Sequence, residues 1–157
     1  VDLPCTLSCH GTTHPHEHLW RGVRLPTLLD QLSIQPEAQH AHFWAADGYT
    51  TSIPLERLND AALVYARDDQ PLTPEAGFPV RLIVPGLYGY KMPKWIQRVE
   101  LHEQALDGSG DQNHWSDDGV VQTMSTITQP LNRDKLTGTI TLAGTAFAGN
   151  RQRRRCP

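Results

Sequence analysis

Apolar and polar positions along the chain recur mostly with the period of β-strands, and one segment has a helical period. The best buried strand is predicted at residues 80–84, where a mostly apolar run is bounded by prolines, and another follows at residues 95–102. Residues 1–9 alternate well enough for a further strand. Leucines at helical spacing after Pro26 predict a short amphipathic helix within residues 24–34, which should pack on a sheet.

Turn signals divide the middle of the chain into short strands. Residues 42–46 and 49–55 predict a hairpin that is joined by an Asp-Gly turn. Residues 60–68 are apolar enough for a strand or a short helix, and residues 69–71 predict the turn after it. Many short strands with few helices indicate the α+β class.

The last third of the chain has a different character. Residues 105–119 are rich in Asp, Gly, Ser and Asn and have no apolar period, which predicts a linker or a long surface loop. Residues 138–148 alternate like one strand, which either joins the main sheet or begins a second domain, because one strand is not stable alone. We therefore divide the chain into residues 1–104, 105–137 and 138–157.

Composition and charge argue against some classes of function, such as nucleic-acid binding. At 157 residues the chain can bury one core, and a formal charge of -3 argues against nucleic acid as the main partner. The sequence has no apolar stretch near the roughly 20 residues that a membrane helix needs. The sequence begins at Val1 rather than Met, so a leader or an upstream domain could precede it. Composition therefore does not indicate a compartment.

The three cysteines do not make an even disulfide framework. They are Cys5, Cys9 and Cys156. On one shared strand Cys5 and Cys9 would lie about 13 Å apart, which is too far for a disulfide. At least one of them is predicted to be a free thiol.

Four histidines next to Cys9 form a candidate zinc or copper site, and the stretch from residue 11 to residue 18 is rich in turn signals. They are His10, His14, His16 and His18. The alternative is a polar loop that is rich in histidine, and it is favoured because no second ligand pair follows at zinc-finger spacing.

Arg81 and the loop that follows its strand form a candidate anion site. A buried guanidinium is costly unless it is paired or faces a ligand, so Arg81 indicates either a structural salt bridge or an oxyanion clamp. In the loop, Gly86 and Gly89 allow backbone N–H groups to approach an anion, and Lys91 and Lys94 supply charge. A plain turn with solvated lysines is the alternative.

Several motifs in order resemble the sulfite oxidase family of molybdenum enzymes. Thr6-Leu7-Ser8-Cys9 is followed by a Trp-x-Gly-Val-x-Leu-x-x-Leu-Leu segment at residues 20–29. The later motifs lie at residues 48–55, 70–72, 77–86 and 89–95. The resemblance covers residues 1–101, and residues 123–127 and 144–149 are similar to the start of the family's C-terminal immunoglobulin-like dimerisation domain.

The resemblance implies a mixed, α+β, sulfite oxidase-type fold with a molybdopterin-binding catalytic domain at residues 1–104. The remainder of the dimerisation domain is not in the sequence, so residues 138–157 are expected to be its truncated start. The implied activity is that of a molybdopterin-dependent oxidoreductase. It would transfer an oxygen atom to or from a small oxyanion or a sulfoxide-type substrate.

The resemblance also implies roles for individual residues. Cys9 would be the thiolate ligand of molybdenum, since a soft anionic sulfur suits that metal. Arg81 would act with Cys9 in catalysis and would also bind the cofactor. The other residues expected to hold the pterin, its phosphate or an anionic substrate are Gly89, Tyr90, Lys91 and Lys94.

The sequence differs from the sulfite-oxidising members of the family at two positions along the chain. An arginine-bearing stretch after the cysteine reads His10-Gly11-Thr12-Thr13-His14 here, and Ala76 stands where the family has His or Asn. Sulfite is therefore not implied as the substrate. The implied partners are a cytochrome or membrane subunit for electrons and a second copy in the full-length form, in a periplasmic or extracytoplasmic location. The alternatives are a zinc or copper module built on the His/Cys loop and a non-catalytic fragment of the family.

Overall fold

The computed structural model describes residues 1–7, 16–109, 116–130, 135 and 137–148. Regular structure in these residues is mostly strand. The strands are β1 Asp2–Leu7, β2 His16–Arg24, β3 His40–Ala45, β4 Thr50–Pro54, β5 Ala62–Arg67, β6 Gln70–Pro71, β7 Arg81–Ile83, β8 Ile96–His102, β9 Met124–Gln129 and β10 Ala143–Phe147. The helical elements are α1 Leu25–Leu29 and two 3₁₀ turns, Leu55–Arg57 and Gly89–Lys91.

The strands form three antiparallel sheets. The main sheet has the order β1-β2-β5-β6, with β7 also paired to β5. A second sheet has the order β4-β3-β8, and β9 pairs with β10 in a third. The predicted pattern of many short strands and few helices is confirmed, and the strand content describes this fold better than the α+β label does.

Both larger sheets contribute side chains to one buried cluster. The strand β5 has one face on this core, so its alternate residues are buried in it, and β3 contributes Ala41 and Phe43 to the same core. The least exposed large members are Trp20, Phe43, Ile53, Leu58, Leu82, Ile83 and Met92. The strand β7 is buried at all three positions, which fixes the start of the loop that follows it.

Gly22 marks a bulge where β2 pairs with β5. A Cβ at this position would lie 2.1 Å from the carbonyl oxygen of Leu63 and 2.6 Å from Cα of Val64. Both are backbone atoms, which cannot rotate away, so only glycine allows the two strands to approach here.

We expect Gly22→Ala to lower the free energy of unfolding by at least about 3 kcal/mol, the upper end for overpacking. Gly48→Ala is the matched control, because its φ of +83° is strained but nothing lies within 4 Å of the added Cβ. It should cost about 1–2 kcal/mol. Urea denaturation measures both, and equal losses would show that the close approach is not what matters.

Several local predictions differ from the structure in their bounds. The helix predicted at residues 24–34 ends at Leu29, and the side chain of Leu32 is 60% exposed instead of packing on a sheet. The turn expected at residues 69–71 lies one residue earlier, since Asp68 and Asp69 have φ of +50° and +61° and are followed by β6. Asp tolerates this left-handed backbone better than most residues, which suits a tight hairpin.

The turn-rich stretch at residues 11–18 also ends earlier than predicted, because β2 begins at His16. The strand predicted at residues 138–148 is β10, which is shorter and pairs with β9 instead of joining the main sheet. The remaining predicted strands are found close to their expected positions, including the β3–β4 hairpin around its Asp-Gly turn.

The described residues between β8 and β9 form loops, as predicted for residues 105–119, apart from one isolated bridge that joins Val120 to Leu87. None of the helices in the part of the chain that the structure describes is long and apolar enough to cross a membrane.

Candidate cofactor site

Arg81 is held inside the protein at the start of β7. Its side chain is only 5% exposed, and its two terminal nitrogens donate to the carbonyl oxygens of Ala76 at 3.1 Å and Met92 at 3.3 Å. The guanidinium carbon lies 5.3 Å from the centre of the Trp20 ring, within cation–π distance. The positive charge is therefore fixed in place, with its contacts to carbonyl dipoles and an aromatic face.

Lys91 is also buried, at 3% exposure, although it lies on the 3₁₀ turn after β7. Its Nζ donates to the carbonyl oxygen of Ser52 at 3.3 Å. Because Ser52 is on β4, an edge strand of the second sheet, this bond covers part of an open sheet edge. Lys91 thus joins the loop to the scaffold and brings a second cation into the interior.

Lys94 lies at the exposed side of the same region. Its Nζ donates to the carbonyl oxygen of Glu75 at 2.6 Å and is 5.4 Å from the centre of the Trp95 ring. Trp95 adopts a φ of +52°, and its indole N–H donates to Pro74 at 2.8 Å. These two bonds fasten the end of the loop to the segment that precedes β7.

Gly89 and Tyr90 shape the turn that carries Lys91. The carbonyl oxygen of Gly89 accepts the amide of Met92 at 3.0 Å, and that of Tyr90 accepts the hydroxyl of Tyr49 at 2.8 Å. The Tyr90 hydroxyl in turn donates to the carbonyl of Ser116. Tyr90 is therefore tied to two distant parts of the chain, and its ring orientation is fixed.

A close approach at Gly77 brings Arg81 and Lys94 together. Gly77 has a φ of +112°, and a Cβ there would lie 3.1 Å from Cβ of Arg81 and 3.0 Å from Cβ of Lys94. Five of the six predicted site residues are thus placed in one region. Cys9, the sixth, lies outside the described residues.

The histidines of the alternative site are placed only in part. His10 and His14 lie outside the described residues, and His16 is the backbone partner of Leu7 in β2. Nδ1 of His18 is 2.7 Å from a carboxylate oxygen of Asp68. Within the described ranges, no three His, Cys, Asp or Glu side chains are arranged to hold a metal ion.

Sequence reasoning did not single out several residues that support the site. Trp20 was noted only as a motif position, yet it is fully buried beneath Arg81. Tyr49 and Ser52 contact the loop from the hairpin. A tryptophan that alternates inward on a strand signals burial, but its arginine partner is 61 positions away, and neither strand pattern indicates the pairing.

Cys5 is a free, buried thiol next to this region. Burial raises its pKa from 9.0 to about 11, and the positive charge of Arg81 opposes that shift in part. The carbonyl of the same residue accepts the indole N–H of Trp20 at 3.2 Å. Cys5 is therefore a protonated, structural cysteine at neutral pH.

This raised pKa predicts a pH dependence of stability. The unfolded thiol ionises near 9.0, whereas the folded one stays protonated to about 11. The protonated thiol therefore contributes about 2–3 kcal/mol to the free energy of unfolding. This contribution is fully present below pH 9 and is lost as the pH rises to about 11. We expect the free energy of unfolding of the wild type to fall by this much more than that of Cys5→Ala over the window, in urea titrations. Parallel curves would contradict the prediction.

The donor set fits an anionic cofactor. Arg81 and Lys91 are basic side chains that lie in the interior, and Lys94 lies close to Arg81. An anion with several oxygens is the group that such cations stabilise. Together with the glycines of the loop, these residues make the loop after β7 a candidate anion site in a strand-rich domain.

Comparison with known proteins identifies the class of this domain. The sequence model of the oxidoreductase molybdopterin binding domain matches residues 2–109. The chain belongs to this family and carries a molybdopterin-binding oxidoreductase domain. The predicted family and its molybdenum cofactor are thereby confirmed.

The chain is similar to oxidoreductases whose names give different activities. The chain is 32% identical over 99 residues to the uncharacterized oxidoreductase YuiH of Bacillus subtilis, covering 62% of this chain and 50% of the relative. It is 36% identical over 107 residues to mitochondrial sulfite oxidase of Drosophila melanogaster, covering 61% and 19%. It is 29% identical over 153 residues to NADH nitrate reductase of Lotus japonicus, covering 76% and 17%. The chain therefore spans half or less of the length of these relatives.

A solved structure has the same fold. The sulfane dehydrogenase SoxCD from Paracoccus pantotrophus superimposes with a TM-score of 0.69 at 24% identity, covering 83% of this chain and 41% of that one. This likeness supports the strand-rich, sulfite oxidase-type architecture.

Proposed function

We propose that this chain is the cofactor-binding part of a molybdenum oxidoreductase, with Cys9 as the thiolate ligand of the metal. The observation that carries the proposal is a pair of buried cations, Arg81 at the start of β7 and Lys91 in the loop that follows it. They lie within the range that matches the family. The bound cofactor would supply two-electron oxygen-atom transfer.

Each residue of the site has a proposed task. Arg81 and Lys91 place fixed positive charge beside the pterin phosphate or an anionic substrate, in an interior where charge interactions are strong. Gly89 and Tyr90 shape the turn so that its backbone approaches the cofactor, and Lys94 adds charge at the exposed rim. Arg81, which is held rigidly by two carbonyls, orients the anion instead of moving with it.

The substrate is proposed to be a small oxyanion or a sulfoxide-type molecule, since the site cations suit an anion or a polarised oxygen. The names of two relatives, a sulfite oxidase and a nitrate reductase, refer to such oxyanions. Electrons would be exchanged with a cytochrome or a membrane subunit, in a periplasmic or extracytoplasmic setting. We also propose the division into residues 1–104, 105–137 and 138–157, with the last as the start of a dimerisation domain.

Metal and pterin analysis of the purified chain tests the proposal. Expressed in a host that makes molybdopterin, the folded protein should carry molybdenum and pterin in equal amounts, close to one per chain. Zinc or copper in place of molybdenum, lost on substitution of His14 and His16, would support a His/Cys metal module instead. Cofactor-loaded protein without turnover of sulfite, sulfoxide or nitrate would support a non-catalytic fragment.

A further inference from the structure

Residues 116–122, here called the brace, pack along the loop that carries Lys91. The amide of Tyr88 donates to Gly119 at 2.7 Å, and the amide of Val121 donates to Gly86 at 2.9 Å. Leu87 and Val120 form an antiparallel bridge between these bonds. The brace is therefore paired with the loop much as a short strand would be.

Side chains reinforce this pairing at both ends of the brace. The Tyr90 hydroxyl donates to the carbonyl of Ser116, and the amide of Gln122 donates to the Tyr88 hydroxyl at 3.2 Å. The rings of Tyr88 and Tyr90 are stacked with centroids 6.0 Å apart. Val121 is buried to 2% exposure, so the brace is also packed on the protein interior.

Gly119 lies directly against Lys91. A Cβ at Gly119 would be 2.4 Å from Cγ of Lys91 and 3.3 Å from its Cε, and the φ of Gly119 is +61°. The lysine side chain therefore runs between the brace and Ser52, where its Nζ donates to the carbonyl. A larger residue at 119 would have to displace either the brace or the lysine.

The brace also carries a carboxylate near the same lysine. Asp118 accepts the Ser116 hydroxyl and the amide of Val120, and these bonds lower its pKa, as do the charges of Arg57 and Lys91. The carboxylate of Asp118 therefore attracts the ammonium of Lys91. Asp118 lies outside the part of the chain that matches the family, which ends at residue 109. The position of the Lys91 charge thus depends on a segment that sequence reasoning assigned to a linker.

We propose that the brace is a positioning element of the molybdopterin site, which sets the place of Lys91 for an anionic group of the cofactor. This inference rests on the proposed function. Electrostatic stabilisation by a preorganised charge falls when the charge is misplaced by even 1 Å. A displaced brace would therefore weaken cofactor binding without removing any residue that touches the cofactor.

The test compares Gly119→Ala with Gly48→Ala in the whole chain, expressed with molybdopterin biosynthesis. Both substitutions add a Cβ at positive φ, but only the one at 119 meets a neighbour. We expect molybdopterin per folded chain to fall about tenfold in Gly119→Ala and to stay within twofold of wild type in Gly48→Ala. Hydrogen exchange at the Tyr88 and Val121 amides should accelerate in the first variant alone.

A double variant separates positioning from general destabilisation. Lys91→Met keeps Cγ and removes the charge, so Gly119→Ala should still cost stability in that background. It should leave the molybdopterin dissociation constant within twofold of Lys91→Met alone, because no charge remains to be misplaced. A further tenfold weakening in that background would overturn the role of Lys91 in the inference.

Other outcomes are equally decisive. If Gly119→Ala accelerated exchange but kept wild-type molybdopterin content, the brace would have no positioning role. If Gly119→Ala did not fold, Tyr88→Phe would replace it, since that change removes the acceptor of the Gln122 amide and keeps the ring stack. Tyr88→Phe should then lower the content about threefold, and wild-type content would overturn the inference. A wild-type chain without molybdopterin would instead refute the proposed function.

Discussion

Cys9→Ser protein should fold but contain at least about tenfold less molybdenum than the wild type, as losses of this size accompany changes at metal sites. The reason is the chemistry of the ligand. A thiolate is a soft, anionic donor that a bound metal keeps deprotonated, whereas a serine hydroxyl gives up its proton far less readily. Metal analysis of the folded fraction, with pterin measured in parallel, checks the result.

Cys5→Ser is the matched control for that experiment. Cys5 is buried and its pKa is raised to about 11, so its sulfur is protonated at neutral pH and is poorly suited to act as a ligand. This variant should lose stability, because a hydroxyl replaces a buried thiol, yet it should keep wild-type molybdenum per folded chain. Molybdenum that survived Cys9→Ser and disappeared with Cys5→Ser would reverse the assignment of the ligand.

The local pattern of apolar and polar residues was sufficient to predict most strands, because the residues of a strand themselves show which positions are buried. The run at β7 is apolar between prolines, and the β3–β4 hairpin has an Asp-Gly turn whose glycine adopts a φ of +83°. The helix at Leu25–Leu29 shows where pattern alone is insufficient. The bonds after it, from Gln31 to Leu28 and from Leu32 to Leu29, are of the tighter 3₁₀ type, and the chain approaches Pro36.

The candidate site could be predicted as a set of residue types but not as an arrangement. Arg81 was predicted from its place in an apolar strand, and Lys91 and Lys94 were predicted from the glycines beside them, which would let backbone N–H groups approach an anion. Their contacts depend on pairs far apart in sequence, such as Lys91 with Ser52, which are 39 positions apart. Neither residue's local pattern contains that information, since the bond exists only after two sheets have formed.

The contacts of Arg81 bear on one of its two predicted roles, the structural one, and its role as an oxyanion clamp stays a prediction. The guanidinium donates to backbone carbonyls and stacks on Trp20, so part of its role is structural. We propose that the same guanidinium also attracts an anionic group of the cofactor.

Lys91→Met should weaken molybdopterin binding by about 10- to 100-fold, equivalent to the roughly 1.5–3 kcal/mol of a hydrogen bond to a charged group. Methionine has nearly the length of lysine, so packing against Gly119 is kept while the charge and the bond to Ser52 are lost. The free energy of unfolding should change by less than about 2 kcal/mol, because the cost of an unsatisfied carbonyl is offset by no longer burying an ammonium. Titration of the cofactor-free chain with molybdopterin, together with urea denaturation, measures both quantities.

Lys135→Met is the control, since Lys135 is an exposed lysine of the described residues and lies outside the matched family range. It changes the net charge by the same amount and should leave the affinity within twofold of wild type. Equal losses in both variants would mean that overall charge, and not the buried ammonium, attracts the cofactor. Unchanged affinity with a large loss of stability in Lys91→Met would instead make Lys91 a structural residue that only covers the edge of β4.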